Sequence, residues 1–181
     1  MVNNVVTDKT KNIAFIGFMG VGKTTVARLV AKKLKRSFID TDAVIEREMN
    51  MPTTEIFAKY GEATFRKKEK EIILRFCKER EMILSLGGGA FSQSAVKETC
   101  LQNCYVIYLD ISWDRWQERI PQLIASRPIL QQRSVDEIKT LFEERKAMYA
   151  SHHVKVETDD LSPEQISEKI VATFMAEIDE T

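Results

Sequence analysis

The chemistry of this chain is most legible in Gly17-Phe18-Met19-Gly20-Val21-Gly22-Lys23-Thr24, followed by Thr25. The run fits G-x-x-x-x-G-K-[ST], a loop that holds the phosphates of a nucleotide. Glycines let successive backbone N–H groups turn toward an anion, because no Cβ blocks the approach. A helix starting near Gly22 would aim its positive end at the same anion. Lys23 can bridge the β- and γ-phosphates, and the Thr24 hydroxyl can hold Mg2+. Average residue usage produces this pattern by chance in roughly one chain of this length per hundred.

Further reactive residues stand at the ends of other apolar runs. Phe38-Ile39 leads into Asp40-Thr41-Asp42, and Leu84-Ser85-Leu86 leads into Gly87-Gly88-Gly89. Phosphoryl transfer needs MgATP held rigidly, an acceptor hydroxyl in line, and positive charge on the transferring group. Asp40, beside the loop, can hold a Mg2+ water. Asp42 can meet an acceptor hydroxyl and take its proton, although an aspartate there could also be a helix cap. Three glycines in a row suit close approach of a ligand better than a flexible turn at the end of a buried strand. Arg66 and Arg145 could clamp an acceptor carboxylate bidentately. Arg66 and Glu69, three apart, could equally belong to a solvated charged face. Arg127 could reach the γ-phosphate if its segment closes.

The elements that must position these residues alternate strand and helix. Asn12 to Ile16 reads as the first strand, and Val26, Leu29, Val30 and Leu34 give the first helix its stripe. Ser37 to Asp40 is the second strand. Val44, Ile45 and Met49 suggest a helix that Pro52 interrupts, and a short helix through Ile56, Phe57 and Tyr60 follows. A longer helix after Gly61 carries Phe65, Ile72, Ile73, Phe76 and Cys77 on one face. Glu81 to Leu86 is the third strand, Ser92 to Leu101 a helix, and Cys104 to Asp110 the fourth strand. Ser112 caps a helix through Trp113, Trp116 and Arg119. The segment from Ile120 to Leu130, with Pro121 and Pro128, breaks the periodicity and reads as a lid. Ser134 to Glu137 is a capping box for a helix holding Ile138, Leu141, Phe142, Arg145 and Tyr149. His152 to Val156 is the last strand, with both histidines at its edge. Ser162-Pro163-Glu164-Gln165 caps a final helix with Ile166, Ile170, Val171, Phe174 and Ile178 on its stripe. The pattern predicts an α/β three-layer sandwich around a five-stranded parallel sheet, whose ligands sit outside the carboxyl ends of the strands.

A chain of 181 residues suffices for one domain with a full core. The 27 Lys and Arg balance the 27 Asp and Glu, so no basic field points to nucleic acid or a membrane surface. Residues 1–11 lack an apolar run, and neither a signal peptide nor a transmembrane span is expected. Cys77, Cys100 and Cys104 read as reduced thiols of a cytoplasmic protein. Cys100 and Cys104 are four apart without a His or carboxylate cluster to complete a metal site.

These motifs together resemble the shikimate kinase family, of nucleoside-monophosphate-kinase-like fold. The resemblance rests on the loop from Gly17 to Thr25, on Phe38 to Asp42, and on Gly61-Glu62-Ala63-Thr64-Phe65-Arg66-Lys67-Lys68-Glu69. It continues through Leu84 to Ala90, Arg127-Pro128-Ile129-Leu130, and Arg145 to Tyr149. It implies ATP and shikimate as substrates, with Mg2+, and phosphorylation of the shikimate 3-hydroxyl on the route to chorismate and aromatic amino acids. It implies that Gly20 to Thr25 bind ATP, that Thr24 ligates Mg2+, and that Asp40 and Ser85 support its waters. Asp42 would hold the ring hydroxyls and serve as base. Arg66 and Arg145 would hold the carboxylate, with Glu69 orienting Arg66. Gly88 would meet the ring through its backbone, between Gly87 and Gly89. Arg127 would be the lid arginine, Arg119 would stack on adenine, and the loop from Thr158 to Pro163 would lie beside the base. The lid departs from the family in reading Pro121-Gln122-Leu123-Ile124-Ala125, and the motif R-x-P-L-Y appears as Arg145-Lys146-Ala147-Met148-Tyr149. Two other readings are a kinase for another polyol acid such as gluconate, and a catalytically silent nucleotide-binding module. The retention of Lys23 and Asp42 speaks against the second. A monomer is expected from the small size and self-contained core.

Overall fold

The opening strand, loop and helix form as read: β1 (Asn12–Ile16) runs through the glycine loop into α1 (Lys23–Leu34). The structure, a computed structural model, describes residues 8–124, 127–131 and 133–179, with the backbone alone at 128, 178 and 179. Residues 1–7, Ala125 of the expected lid, and the side chains of Pro128 and Ile178 lie outside the described set. The remaining strands are β2 (Ser37–Asp40), β3 (Met82–Ser85), β4 (Cys104–Asp110) and β5 (Val154–Glu157). The remaining helices are α2 (Thr41–Met49), α3 (Thr53–Phe76), α4 (Ser94–Asn103), α5 (Trp113–Gln117), α6 (Ile120–Leu123), α7 (Val135–Met148) and α8 (Pro163–Asp179).

All four strand pairings are parallel, in the order β2-β3-β1-β4-β5. Every residue of β1 and of β4 is buried. Side chains alternate between faces, so complete burial requires a helical layer on each side of the sheet. α1 packs against α8, and α3 packs against α2 and α4. One large core follows the central strands, with Trp116, Tyr105, Phe15 and Phe174 among its largest members. A second, smaller cluster of Val44, Ile45, Ile56, Phe65 and Ile72 joins α2 to α3.

Several boundaries differ from the sequence reading, each for a local reason. The short and long helices around Gly61 form one element, α3, broken at Gly61 (φ 78°, ψ 169°), where a side chain would be strained. β3 starts at Met82 because Glu81 turns into the left-handed region (φ 58°). The helix expected from Ser92 is divided into a 3₁₀ turn, Ala90–Ser92, and α4. Among its described residues the lid holds a turn of α-helix, α6, with Pro121 in its first turn where no N–H is needed, and a 3₁₀ turn at Pro128–Leu130. The last strand starts at Val154, after both histidines. His153 nevertheless extends the pairing, its N–H donating to the Val106 carbonyl (2.9 Å) and its Nδ1 accepting from the Val106 N–H (2.9 Å). Burial lowers the His153 pKa to about 4, in keeping with a neutral ring that accepts there. At the opposite end of the sheet from the glycine loop, buried Asn12 ties β1 to the end of α3. Its Nδ2 donates to the carbonyls of Phe76 (3.2 Å) and Glu79 (2.8 Å), and its Oδ1 accepts from the Met82 N–H (2.8 Å).

Candidate active site

The glycine loop is held from outside. Gly17 (φ 146°) lies so close to β4 that an added Cβ would stand 2.5 Å from the Leu109 carbonyl oxygen. Trp116 Nε1 donates to the Met19 carbonyl (2.7 Å), and Arg119 Nη1 donates to that of Gly20 (2.6 Å). Phe18 meets the rings of Trp116 and Phe142 edge-on, at 4.8 and 5.0 Å between centroids. α6 closes on the loop through Leu123, which an added Cβ on Gly20 would strike at 2.5 Å. Lys23 is buried and donates to the carbonyls of Gly17 (2.8 Å) and Phe18 (3.0 Å). Burial lowers its pKa to about 8, against the pull of nearby Asp42.

Three hard oxygen donors converge beside Lys23. Thr24 Oγ1 donates to Asp40 Oδ2 (2.6 Å) and stands 3.3 Å from Ser85 Oγ. The register of β2 on β3 causes this, since Asp40 and Ser85 are paired positions. Asp40, rather than Asp42, caps α2, its Oδ1 accepting from the Ala43 N–H (3.2 Å). Asp42 is thereby free of capping and sits in the first turn of α2, aimed at the cleft. Its Oδ1 is buried without a hydrogen bond, and its Oδ2 lies 3.9 Å from Arg127 Nη1. Burial and the charge of Asp40 raise the Asp42 pKa, while Arg127, Lys23 and Arg66 oppose the rise.

Beyond Asp42 lies a second pocket with two arginines at its end. Arg66 Nη1 donates to Glu69 Oε2 (2.7 Å), and the same oxygen accepts from Gln93 Nε2 (3.0 Å). Arg145 is buried and donates to the Gly88 carbonyl (3.2 Å), which also accepts from the Tyr149 hydroxyl (2.5 Å). Both guanidinium groups crowd the face of Gly89, where any Cβ would collide with Arg66 Nη2 and Arg145 Nη1. Gly87 faces Glu69 Oε1 and Asp42 Oδ1 in the same way, at 2.7 and 2.8 Å from an added Cβ. Glu69 is fully buried, and burial raises its pKa to about 7 despite Arg66. Of the expected site residues, Gly20, Gly22, Lys23, Thr24, Thr25, Asp40 and Ser85 line the first pocket. Arg66, Glu69, Gly89 and Arg145 line the second, and Asp42, Gly87, Gly88 and Arg127 line both. Val21 is buried beneath the loop, its Cγ1 within 3.3 Å of a Cβ built on Gly17. Arg119 fastens the loop. Thr158 anchors its own loop on β4 through the Asp110 carbonyl (2.8 Å).

The sequence reading gave no site role to Phe57, Phe65, Thr53 and Ile129, which line the second pocket. It also passed over Gln93 and the Tyr149 hydroxyl. Tyr149, one turn after Arg145, could have been found by helical spacing; Gln93 carries no local signal.

A phosphate loop on a parallel sheet, joined through one aspartate to an arginine-ended second pocket, defines a P-loop kinase of small molecules. The family model for shikimate kinase matches residues 19–175. The chain belongs to the shikimate kinase family. It is 54% identical over 167 residues to the shikimate kinase of Bacillus subtilis (strain 168), covering 92% of this chain and 90% of that one. Among solved structures, shikimate kinase from Acinetobacter baumannii in complex with shikimate superposes with a TM-score of 0.87 at 30% identity, over 93% of this chain and 94% of that one. Shikimate kinase from Aquifex aeolicus gives 0.79 at 30% identity, over 91% and 96%.

Proposed function

We propose that the chain transfers the γ-phosphoryl group of ATP to the 3-hydroxyl of shikimate, giving shikimate 3-phosphate and ADP. The observation that carries this reading is the meeting of the two pockets at Asp42 and Arg127, with Arg66 and Arg145 at the far end of the second. A polyol acid bound with its carboxylate on the arginines would present ring hydroxyls to Asp42. Asp42 takes the proton of the 3-hydroxyl as that oxygen bonds to the γ-phosphorus, and the bond from phosphorus to the ADP oxygen breaks. Its raised pKa makes it a stronger base than an exposed aspartate. Lys23 lines the first pocket and Arg127 both, so the two would offset the charge on the transferring group. Glu69 and Gln93 hold Arg66, while Tyr149 and Arg145 together hold the Gly88 carbonyl.

The oxygen set of Thr24, Asp40 and Ser85 fits Mg2+, a hard cation bound by few protein oxygens and several waters. Bound there, Mg2+ would neutralise phosphate charge. The backbone of Gly20 to Thr25 would cradle the phosphates, and Arg119 with the loop from Thr158 to Pro163 would flank the adenine. We read residues 1–181 as one domain with a lid at about 120–130, acting as a cytoplasmic monomer. No helix among the described residues is long and apolar enough to cross a membrane.

The test is coupled ADP release with MgATP, offering shikimate beside gluconate. Shikimate-dependent release is expected, and Asp42→Asn should lose it by at least about a hundredfold while still binding ATP. Release that follows gluconate instead, or full activity in the Asp42→Asn variant, would refute the assignment.

A further inference from the structure

Away from the active site, packing brings together three thiols that the sequence keeps apart. Cys77 follows the last turn of α3, Cys100 lies on α4, and Cys104 opens β4. Cys77 Sγ stands 3.8 Å from Cys100 Sγ and 3.6 Å from Cys104 Sγ, and all three sulfurs lie within 4.8 Å of one another. All three cysteines are free and buried. A lone buried cysteine is a small hydrophobe. Three on three separate elements, aimed at one point, are a preset triangle of ligands. Thiolates about 2.3 Å from a shared ion stand roughly 3.8–4.0 Å apart. Cys77 already meets that spacing to both partners, and the Cys100 and Cys104 sulfurs, within 4.8 Å of each other, close by at most about an ångström.

The surroundings select the ion. Sulfur ligands favour soft ions over Mg2+ or Ca2+. Among the described residues no fourth Cys, His, Asp or Glu joins the group, whereas structural Zn2+ sites are four-coordinate. The three cysteines are buried, and a buried net charge is costly. Three thiolates leave two negative charges on a monovalent ion, one on a divalent ion and none on a trivalent ion. Lys11, whose charge reaches Cys104, could offset one of them, which makes Zn2+ the competitor.

We propose that Cys77, Cys100 and Cys104 form a three-sulfur site for a soft trivalent ion, taken up as arsenite, As(OH)3. Three As–O bonds break and three As–S bonds form. Each thiol proton leaves with a hydroxide as water, no electrons are exchanged, and the product is neutral. Entry is through the exposed turn at residues 78–81, where α3 ends and the chain reverses into β3. The bound ion would join the end of α3, which carries Arg66 and Glu69, to α4 and β4.

The test is native mass spectrometry of the full chain, kept reduced with a phosphine and titrated with arsenite, Zn2+ and Cu+ in parallel. The expected adduct adds one arsenic and loses three hydrogens, the mass of three As–S bonds. Cys77→Ser, Cys100→Ser and Cys104→Ser should each weaken uptake by about a hundredfold, since each removes one arm of a chelate. No uptake, an adduct that retains a hydroxyl, or equal uptake by a serine variant would overturn the site. Tighter binding of Zn2+ or Cu+ than of arsenite would overturn the choice of a trivalent ion. Should the variants fail to fold, arsenic X-ray absorption on the unaltered chain counts the sulfur neighbours: three are expected, and fewer refute the proposal.

Discussion

Glu69→Gln offers a quantitative test of how the acceptor pocket is built. Glu69 is fully buried, accepts from Arg66 and Gln93 through one oxygen, and leaves the other without a hydrogen bond. Burial, the largest influence, lifts its pKa from 4.5 to about 7. Below pH 4.5 the carboxyl is protonated in both the folded and the unfolded chain. Between 4.5 and about 7 the unfolded chain loses this proton while the folded chain keeps it. The folded state then binds more protons, and stability falls as pH rises. Above about 7 both are ionised and the loss is complete. At 1.36 kcal/mol per unit, the full loss is about 3 kcal/mol. Glutamine keeps an acceptor for Arg66 but cannot ionise. Urea unfolding of both proteins without ligands, at pH 5 and pH 8.5, reads the effect of Glu69 together with its coupling to Asp42, since titrating groups uncoupled from Glu69 cancel in the double difference. The wild-type chain should lose about 3 kcal/mol more than Glu69→Gln over this interval. Parallel pH profiles would refute the claim that a buried, half-satisfied carboxylate holds Arg66 in place.

Arg66→Lys should raise the KM for shikimate by about tenfold with kcat little changed, because an ammonium cannot make the planar double contact with a carboxylate. Steady-state kinetics with saturating ATP would check it, and an unchanged KM would remove Arg66 from the clamp. Trp116→Phe deletes the bond to the Met19 carbonyl and should cost about 1–3 kcal/mol of stability while raising the KM for ATP. Denaturant unfolding and ATP kinetics test the two parts separately, and a variant equal to wild type in both would show that the loop needs no such strap.

How far the sequence discloses this molecule depends on the range over which each signal acts. The glycine loop, the capping box at Ser134 and the fully buried β4, apolar up to Asp110, are written within a few residues, and they fold as read. The parallel sheet follows from the alternation of strand and helix. Which aspartate caps α2 was not legible, because Asp40 and Asp42 both suit a cap, and only the pairing of β2 with β3 puts Asp40 against Thr24. Gln93 reaches Glu69 across 24 residues, and Cys77 reaches Cys104 across 27. Contacts of that kind arise from how helices settle on the sheet. The turn of helix inside the lid went unread because four residues are too few to show a period.

The second core cluster gives the acceptor half of the site a mechanical independence. Val44, Ile45, Ile56, Phe65 and Ile72 bury one another between α2 and α3 as a cluster separate from the large core, with the partly buried Ile39 and Phe76 packed against both. With its own oil, the segment from α2 to Gly61 can slide over Phe65 and Ile72, bending at the Gly61 break in α3, without opening the main interior to water. Hydrogen exchange should therefore divide the molecule in two. Amides of α2 and the first half of α3 should open together at lower free energy than those of β1 and β4, and bound acceptor should slow the first group selectively.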